Sequence, residues 1–302
     1  MRNSVTILIG GAVASLLALT QAAACYSQNR RAEGGDLRAR DEMRKSFRLA
    51  PGARVEVSSI RGLVEVETAE TDVAEVHVVR TARDAEELKQ FKVVVEEEPQ
   101  GLVIRGEQAE RNSGSGMGPD VRHRVTLKLP RGVNLSVQSV GGDVKVGDLG
   151  GSLTVSSVGG LLTAGDVGGP VEVGGVSGAV SIGRAGQSVE IKSASGDVKV
   201  GLAVGSLDVT GVSGALSASV SKLGPRGVRV SSVSGHVELR FSGELNAELS
   251  ADNVSGDLSI DLPNVTVKSR PNASAMRALI GRGGPTISIN GVSRGVRLTQ
   301  GS

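Results

Sequence analysis

The chain has 302 residues, with 43 Gly, three Phe, one Tyr, no Trp and a formal charge of +2 at neutral pH. A charge so near balance argues for neither nucleic acid nor an acidic partner. The lone Cys25 excludes an intramolecular disulfide and a thiolate metal cluster.

Residues 1–24 read as a signal peptide. Arg2 gives a basic start, Val5 to Leu19 is an apolar run too short for a comfortable span, and Ala22, Ala23 and Ala24 are the small residues a signal peptidase needs. Cys25 follows directly, in a setting that resembles a lipobox with Ala22 where Leu is usual. Two outcomes stay open: lipidation of Cys25, or ordinary cleavage after Ala24. Both place the mature chain outside the cytoplasm. Residues 25–46 are charged with mixed sign and are expected to form a polar tether.

Residues 47–134 read as a strand-rich cap with a first coil. Val55, Val57, Ile60, Gly62, Val64 and Val66 alternate as a strand pair. Val73 to Arg80 reads as a strand, Asp84 to Gln90 as a short helix, and Lys92 to Glu97 and Leu102 to Arg105 as strands around Pro99 and Gly101. Arg111 to Pro119 reads as a flexible loop and Val121 to Leu129 as another strand.

From Leu135 a nine-residue unit repeats, starting at Leu135, Val144, Leu153, Leu162, Val171, Val180, Val189, Val198 and Leu207. Its first, third and sixth positions are aliphatic or Ala, and its eighth is Gly in every unit but one, which has Gln187. Alternation at the first and third positions is a strand signal. Gly recurring about every nine residues would cost a helix about 1 kcal/mol each time.

Alternate units carry Gly at the fourth position (Gly147, Gly165, Gly183, Gly201), so two kinds of corner alternate and the full period is eighteen. That predicts a parallel β-solenoid of about eighteen residues and two strands per coil over 135–262. Side chains such as Val137, Val155, Val173, Ile191 and Val209 would stack on one another. An antiparallel meander would give no reason for corners to alternate. Units at Val228 and Leu249 restart after twenty-one residues, which most simply widens one corner, and 263–302 is expected to be the C-terminal cap.

The motifs Ser139 to Val146, Ser193 to Val200 and Ser232 to Leu239, with the early Ser59, Ile60, Gly62 unit, resemble the bacterial putative-adhesin family of exported β-solenoid domains. The resemblance spans roughly Phe47 to Leu298 and implies a fold. It transfers no catalytic residue.

Candidate chemistry is sparse. Asp143, Asp148, Asp166, Asp197, Asp208 and Asp257 occupy several different repeat positions, whereas a calcium β-roll needs them at one. Stacking by eighteen would bring Asp148 beside Asp166 with Arg184 next in the row, either a carboxylate pair of a polysaccharide-cleaving β-helix or a solvated corner ladder. His77, His123 and His236 are scattered and read as surface or capping residues. Glycines near Gly141 and Gly283 lack the Lys-Ser/Thr of a phosphate loop.

The expectation is a non-enzymatic, exported envelope protein with no cofactor, metal or catalytic residue. It would contact a surface protein, a glycan or copies of itself along outward rows such as Lys145, Thr163, Ser181, Lys199 and Ser217, with a membrane tether through Cys25 if lipidated. The competing readings are a polysaccharide lyase or hydrolase and an accessory component of an envelope regulatory system.

Overall fold

The computed structural model describes residues 38–108 and 121–301. The expected signal peptide, Cys25, most of the expected tether and the expected loop over Arg111 to Pro119 lie outside the described residues. What is described is almost entirely strand, with one six-residue helix, Ala85–Gln90, capped by the Asp84 carboxylate accepting the Glu87 N–H at 2.9 Å.

The nonapeptides form two ladders that enclose one core. The first ladder carries Asn134–Val140, Leu153–Val158, Val171–Val176 and Val189–Ala194, then the C-terminal halves of Val198–Val212 and Leu216–Val233. The second carries Val144–Val146, Leu162–Ala164 and Val180–Ala185, then the N-terminal halves of the same two long strands. Pairing is parallel throughout this run, so Leu153 sits between Leu135 and Val171, and an antiparallel meander is excluded here.

Alternation turns each strand's first and third residues inward. Ile104, Val57, Val137, Val155, Val173, Ile191, Val209, Val230, Ile289 and Ala251 stack in that spatial order, every one buried. Burying each such side chain contributes about 1.5–3 kcal/mol, and it does so only because a coil lies on either side.

The corners explain the glycines. A Cβ on Gly142, Gly178 or Gly235 would lie 2.4, 2.6 or 2.4 Å from a backbone oxygen of the neighbouring coil. The eighth position is therefore too crowded for a side chain in these coils, and Gln187 is the exception in the repeat run. The corner after Val137 uses a different device, one left-handed residue per coil: Ser59, Ser139, Ser157, Gly175, Ser193, Gly211, Ser232, Gly291 and Asn253 all have φ between 52° and 69°. The wider corner after Leu223 holds Gly224, Pro225, Arg226 and Gly227, where the register of Leu207 with Val228 takes up the extra residues.

Three expectations are corrected. The tether over 25–46 becomes strand from Ala39: Ala39–Arg48 pairs antiparallel with Val73–Ala82, because Met43 and Phe47 recur every fourth residue against the core while Asp41 and Glu42 pair with Arg80 and His77. The terminal segment 263–302 is not simply a cap: Thr286–Val292 and Gly295–Gly301 lie between Leu216–Ser242 and Ala247–Asp261. Leu249 thus stacks on Ile287, not on Val228, and the antiparallel strands Ala275–Ile280 and Val265–Asn272 extend the first ladder beyond it.

The other end has the same inversion. Arg54–Ser58 and Gly62–Ala69 lie inside a later coil, Gly101–Gln108 with Arg122–Pro130. Antiparallel strands then cover that outer coil: Phe91–Glu98 on the first ladder, and Val73–Ala82 followed by Ala39–Arg48 on the second.

Candidate functional site

Outward side chains inherit the ladder register, so sequence positions become rows at roughly 4.8 Å spacing. On the second ladder Glu65, Lys145, Thr163, Ser181, Lys199, Ser217, Glu238, Arg297 and Ser259 follow one another. Lys145 reaches Glu65 at 3.4 Å. On the first ladder the row runs Ser136, Thr154, Glu172, Glu190, Asp208 and Arg229. Hydrogen bonding to Glu190 at 2.6 Å, with Glu172 and Asp208 nearby, raises the Lys192 pKa.

The first row changes character near the N-terminal end. Between Glu56 on one side and Glu172 and Glu190 on the other, this stretch has Ser136 and Thr154, and the short side chains leave a trough of about 610 Å³. Arg54, Asn134, Gln138 and Ser152 complete its walls. Asn134 is consumed by structure, donating to the Gly52 carbonyl at 2.9 Å and accepting from the Ser152 N–H at 3.0 Å and hydroxyl at 2.9 Å. Gln138 donates to the Ser136 hydroxyl at 3.2 Å, leaving its amide oxygen, with the Thr154 hydroxyl, for an incoming group.

A second hollow of about 320 Å³ lies at the inserted coil, between His236, Glu238, Asp257, Ser259, Arg294 and Arg297. Its cations and carboxylates are of both signs. Arg294 in this wall stands at the eighth position of the unit that starts at Ile287, where the repeat usually carries Gly.

The aspartates of the repeat are corner staples. Asp143, Asp148, Asp166 and Asp197 each aim Oδ1 at a backbone N–H of the next coil: Leu161 at 2.9 Å, Asp166 at 2.9 Å, Arg184 at 3.0 Å and Ala215 at 2.8 Å. Asp148, Asp166 and Arg184 do follow one another as expected, but through carboxylate-to-backbone bonds. Asp208 instead faces Arg229 at 3.8 Å, and Asp257 begins an edge strand. Among the described residues no three His, Cys, Asp or Glu side chains come together to hold a metal ion.

The histidines separate. His77 is partly exposed against Glu42 at 2.9 Å. His123 is buried in the cap, with Nδ1 accepting the Arg61 N–H at 3.3 Å and no partner for Nε2. Burial, with the Arg80 and Arg61 guanidiniums beside it, lowers its pKa from 6.5 to about 4. Phe91 meets its ring edge-on at 6.2 Å, and Arg61 lies over Phe91 at 4.1 Å.

No curated protein matches the chain. Solved structures of similar form include a "putative adhesin" from Parabacteroides distasonis (15% identity, 88% of this chain and 98% of that one, TM-score 0.32). Others are a "putative cell adhesion protein" from Clostridium sporogenes (10%, 87% and 100%, TM-score 0.27) and a "putative lipid binding protein" from Parabacteroides distasonis (8%, 87% and 97%, TM-score 0.25). The Toastrack DUF4097 family model matches residues 54–295, four-fifths of the sequence, and the chain belongs to that family.

Proposed function

We propose that this chain is an exported, non-enzymatic domain of the cell envelope that binds a surface partner along its first ladder, with the trough at Ser136 and Thr154 as the anchoring point. The observation that carries this reading is the trough itself: 610 Å³ lined by amides, hydroxyls and one guanidinium, on a rigid ladder. Apart from Arg54, which faces Glu56 at 3.4 Å, these are neutral donors and acceptors, and they suit a hydroxyl-rich polymer such as an envelope glycan. Such a ligand would lie along the row, since every coil repeats the same polar spacing. The export signal and a lipid on Cys25 would hold the domain at the envelope.

Retention of purified protein on isolated envelope polysaccharide measures this directly. Thr154→Trp fills the trough from an outward position, so binding falls at least ~10-fold, the scale of a lost interface anchor. Lys145→Glu on the opposite ladder leaves binding unchanged. Equal retention of the native chain and Thr154→Trp sinks the assignment of the trough.

A further inference from the structure

Both ends of the solenoid are unfinished, and they are unfinished in complementary ways. Among the described residues, four strands have a single ladder partner: Phe91–Glu98 and Ala39–Arg48 at one end, Val265–Asn272 and Asp257–Asp261 at the other. The core reaches these edges without closing. Phe47 and Val93 at the first end, and Leu258, Ile260 and Val265 at the second, are only partly buried against it, and Val267 is 55% exposed. Open strand edges over apolar residues invite a further strand.

Charge distinguishes the two ends. On the first ladder, Phe91–Glu98 ends in Glu96, Glu97 and Glu98, whereas Val265–Asn272 carries Lys268 and Arg270 and no acid. On the second ladder the signs reverse: Asp257–Asp261 holds two carboxylates and no base, and Ala39–Arg48 has four basic residues against two acidic ones. Those two acids, Asp41 and Glu42, already face Arg80, Arg40 and Arg44. Glu97, Glu98, Lys268, Arg270, Asp257 and Asp261 make no ion pair among the described residues.

The shapes step oppositely. Beyond the outer coil at the C-terminal end, the first ladder runs on for two strands and the second stops. At the N-terminal end the second ladder runs on for two strands and the first for one. The short side of one end therefore meets the long side of the other, with three strands between the facing outer coils on the first ladder and two on the second.

We infer that a second copy of this chain is the missing neighbour, docking head to tail so that Val265–Asn272 pairs with Phe91–Glu98 and Asp257–Asp261 with Ala39–Arg48 of the next molecule. Strand directions make the first joint antiparallel and the second parallel. The contact is heterologous, so each docked copy leaves an equivalent free end and the assembly is open rather than a closed dimer. This goes beyond the proposed binding role and does not depend on it; its effect would be to extend the outward rows into a longer surface.

Sedimentation velocity of the full chain at low salt tests it. The mass rises stepwise with concentration past the dimer, and the association weakens in ~1 M salt, where the screening length falls to about 3 Å. Double reversal of Glu97→Lys with Glu98→Lys, or of Lys268→Glu with Arg270→Glu, weakens self-association at least ~10-fold by setting like charges opposite. Mixing the two variants restores pairing at both joints, reversed end on reversed end and native end on native end, so the two alternate along the assembly. Unchanged thermal unfolding shows that these exposed changes leave the fold intact. A monomer at all concentrations, a closed dimer indifferent to both reversals, or a mixture that stays dissociated overturns the inference.

Discussion

Asp148 Oδ1 accepts the backbone N–H of Asp166 at 2.9 Å, joining two coils across eighteen residues of sequence. A pair of carboxylates one strand apart could be read as an acid and a base, yet here one side chain ties down the backbone of the other. Asp166 then repeats the contact to Arg184. The acceptor matters, not the charge. Asp148→Ala is expected to cost about 0.5–1.5 kcal/mol, the net worth of one such bond at an exposed corner, while Asp148→Asn keeps Oδ1 and stays within ~0.5 kcal/mol of the native chain. Urea unfolding of the three proteins decides it, and an Asn variant as damaged as the Ala variant would count against the staple.

Two neighbouring glycines should answer differently to the same change. A Cβ at Gly178 would lie 2.6 Å from the Gly160 oxygen, whereas one at Gly174 would meet nothing nearer than the Lys192 oxygen at 3.9 Å. The Leu161 side chain can swing aside but the Gly160 carbonyl is backbone and cannot, so Gly178→Ala costs about 1–3 kcal/mol as overpacking. Gly174→Ala loses nothing in the fold and restricts the unfolded chain, a gain of roughly 0.4–1 kcal/mol. Thermal melts that rank the two variants the other way round would refute the crowding argument.

These corners show what the sequence could and could not convey. Inward aliphatics were readable because Val171 and Val173 alternate with period two whatever lies beside them. The same sameness hid the order of the coils: the units at Val228, Leu249 and Ile287 share the same inward apolar positions, so nothing in them says that Ile287 lies between the other two. Strand Ala39–Arg48 was missed because its polarity comes from an edge position whose charges pair with Arg80 and His77. The trough was invisible for a simpler reason: it is made by side chains that are small, and Ser136 reads as an ordinary outward residue until its neighbours are known.

The left-handed column offered a signal that does survive in sequence, the interchange of Ser and Gly at the fifth position of alternate units. Gly175 has φ 60° and stacks between Ser157 at 56° and Ser193 at 65°. Gly175→Ser should therefore be tolerated within ~1 kcal/mol, since its neighbours hold Ser in the same conformation. Gly175→Val puts a branched side chain where Cβ already crowds the carbonyl, and should cost about 2 kcal/mol or more. Equal melting temperatures for the Ser and Val variants would mean that the corner relaxes out of the left-handed region.

His123 gives the cap a dependence on pH whose direction is fixed by its environment. Its folded pKa of about 4 lies below the ordinary value of 6.5, because burial and the Arg80 and Arg61 guanidiniums disfavour the imidazolium. Between these values the unfolded chain binds a proton that the folded chain refuses. Stability is thus complete above pH 6.5 and declines as pH falls toward 4, by up to about 3 kcal/mol for a shift of this size. His123→Leu removes the titrating ring, the orphaned Nε2 and the bond from the Arg61 N–H together, so its absolute stability can move either way, but its slope with pH in this window must flatten. Urea midpoints for both proteins across the window measure the slope. A variant that loses stability as steeply as the native chain would assign the acid sensitivity to other groups, among them the carboxyls of Asp41 and Glu42, which Arg80 and His77 hold below their ordinary values.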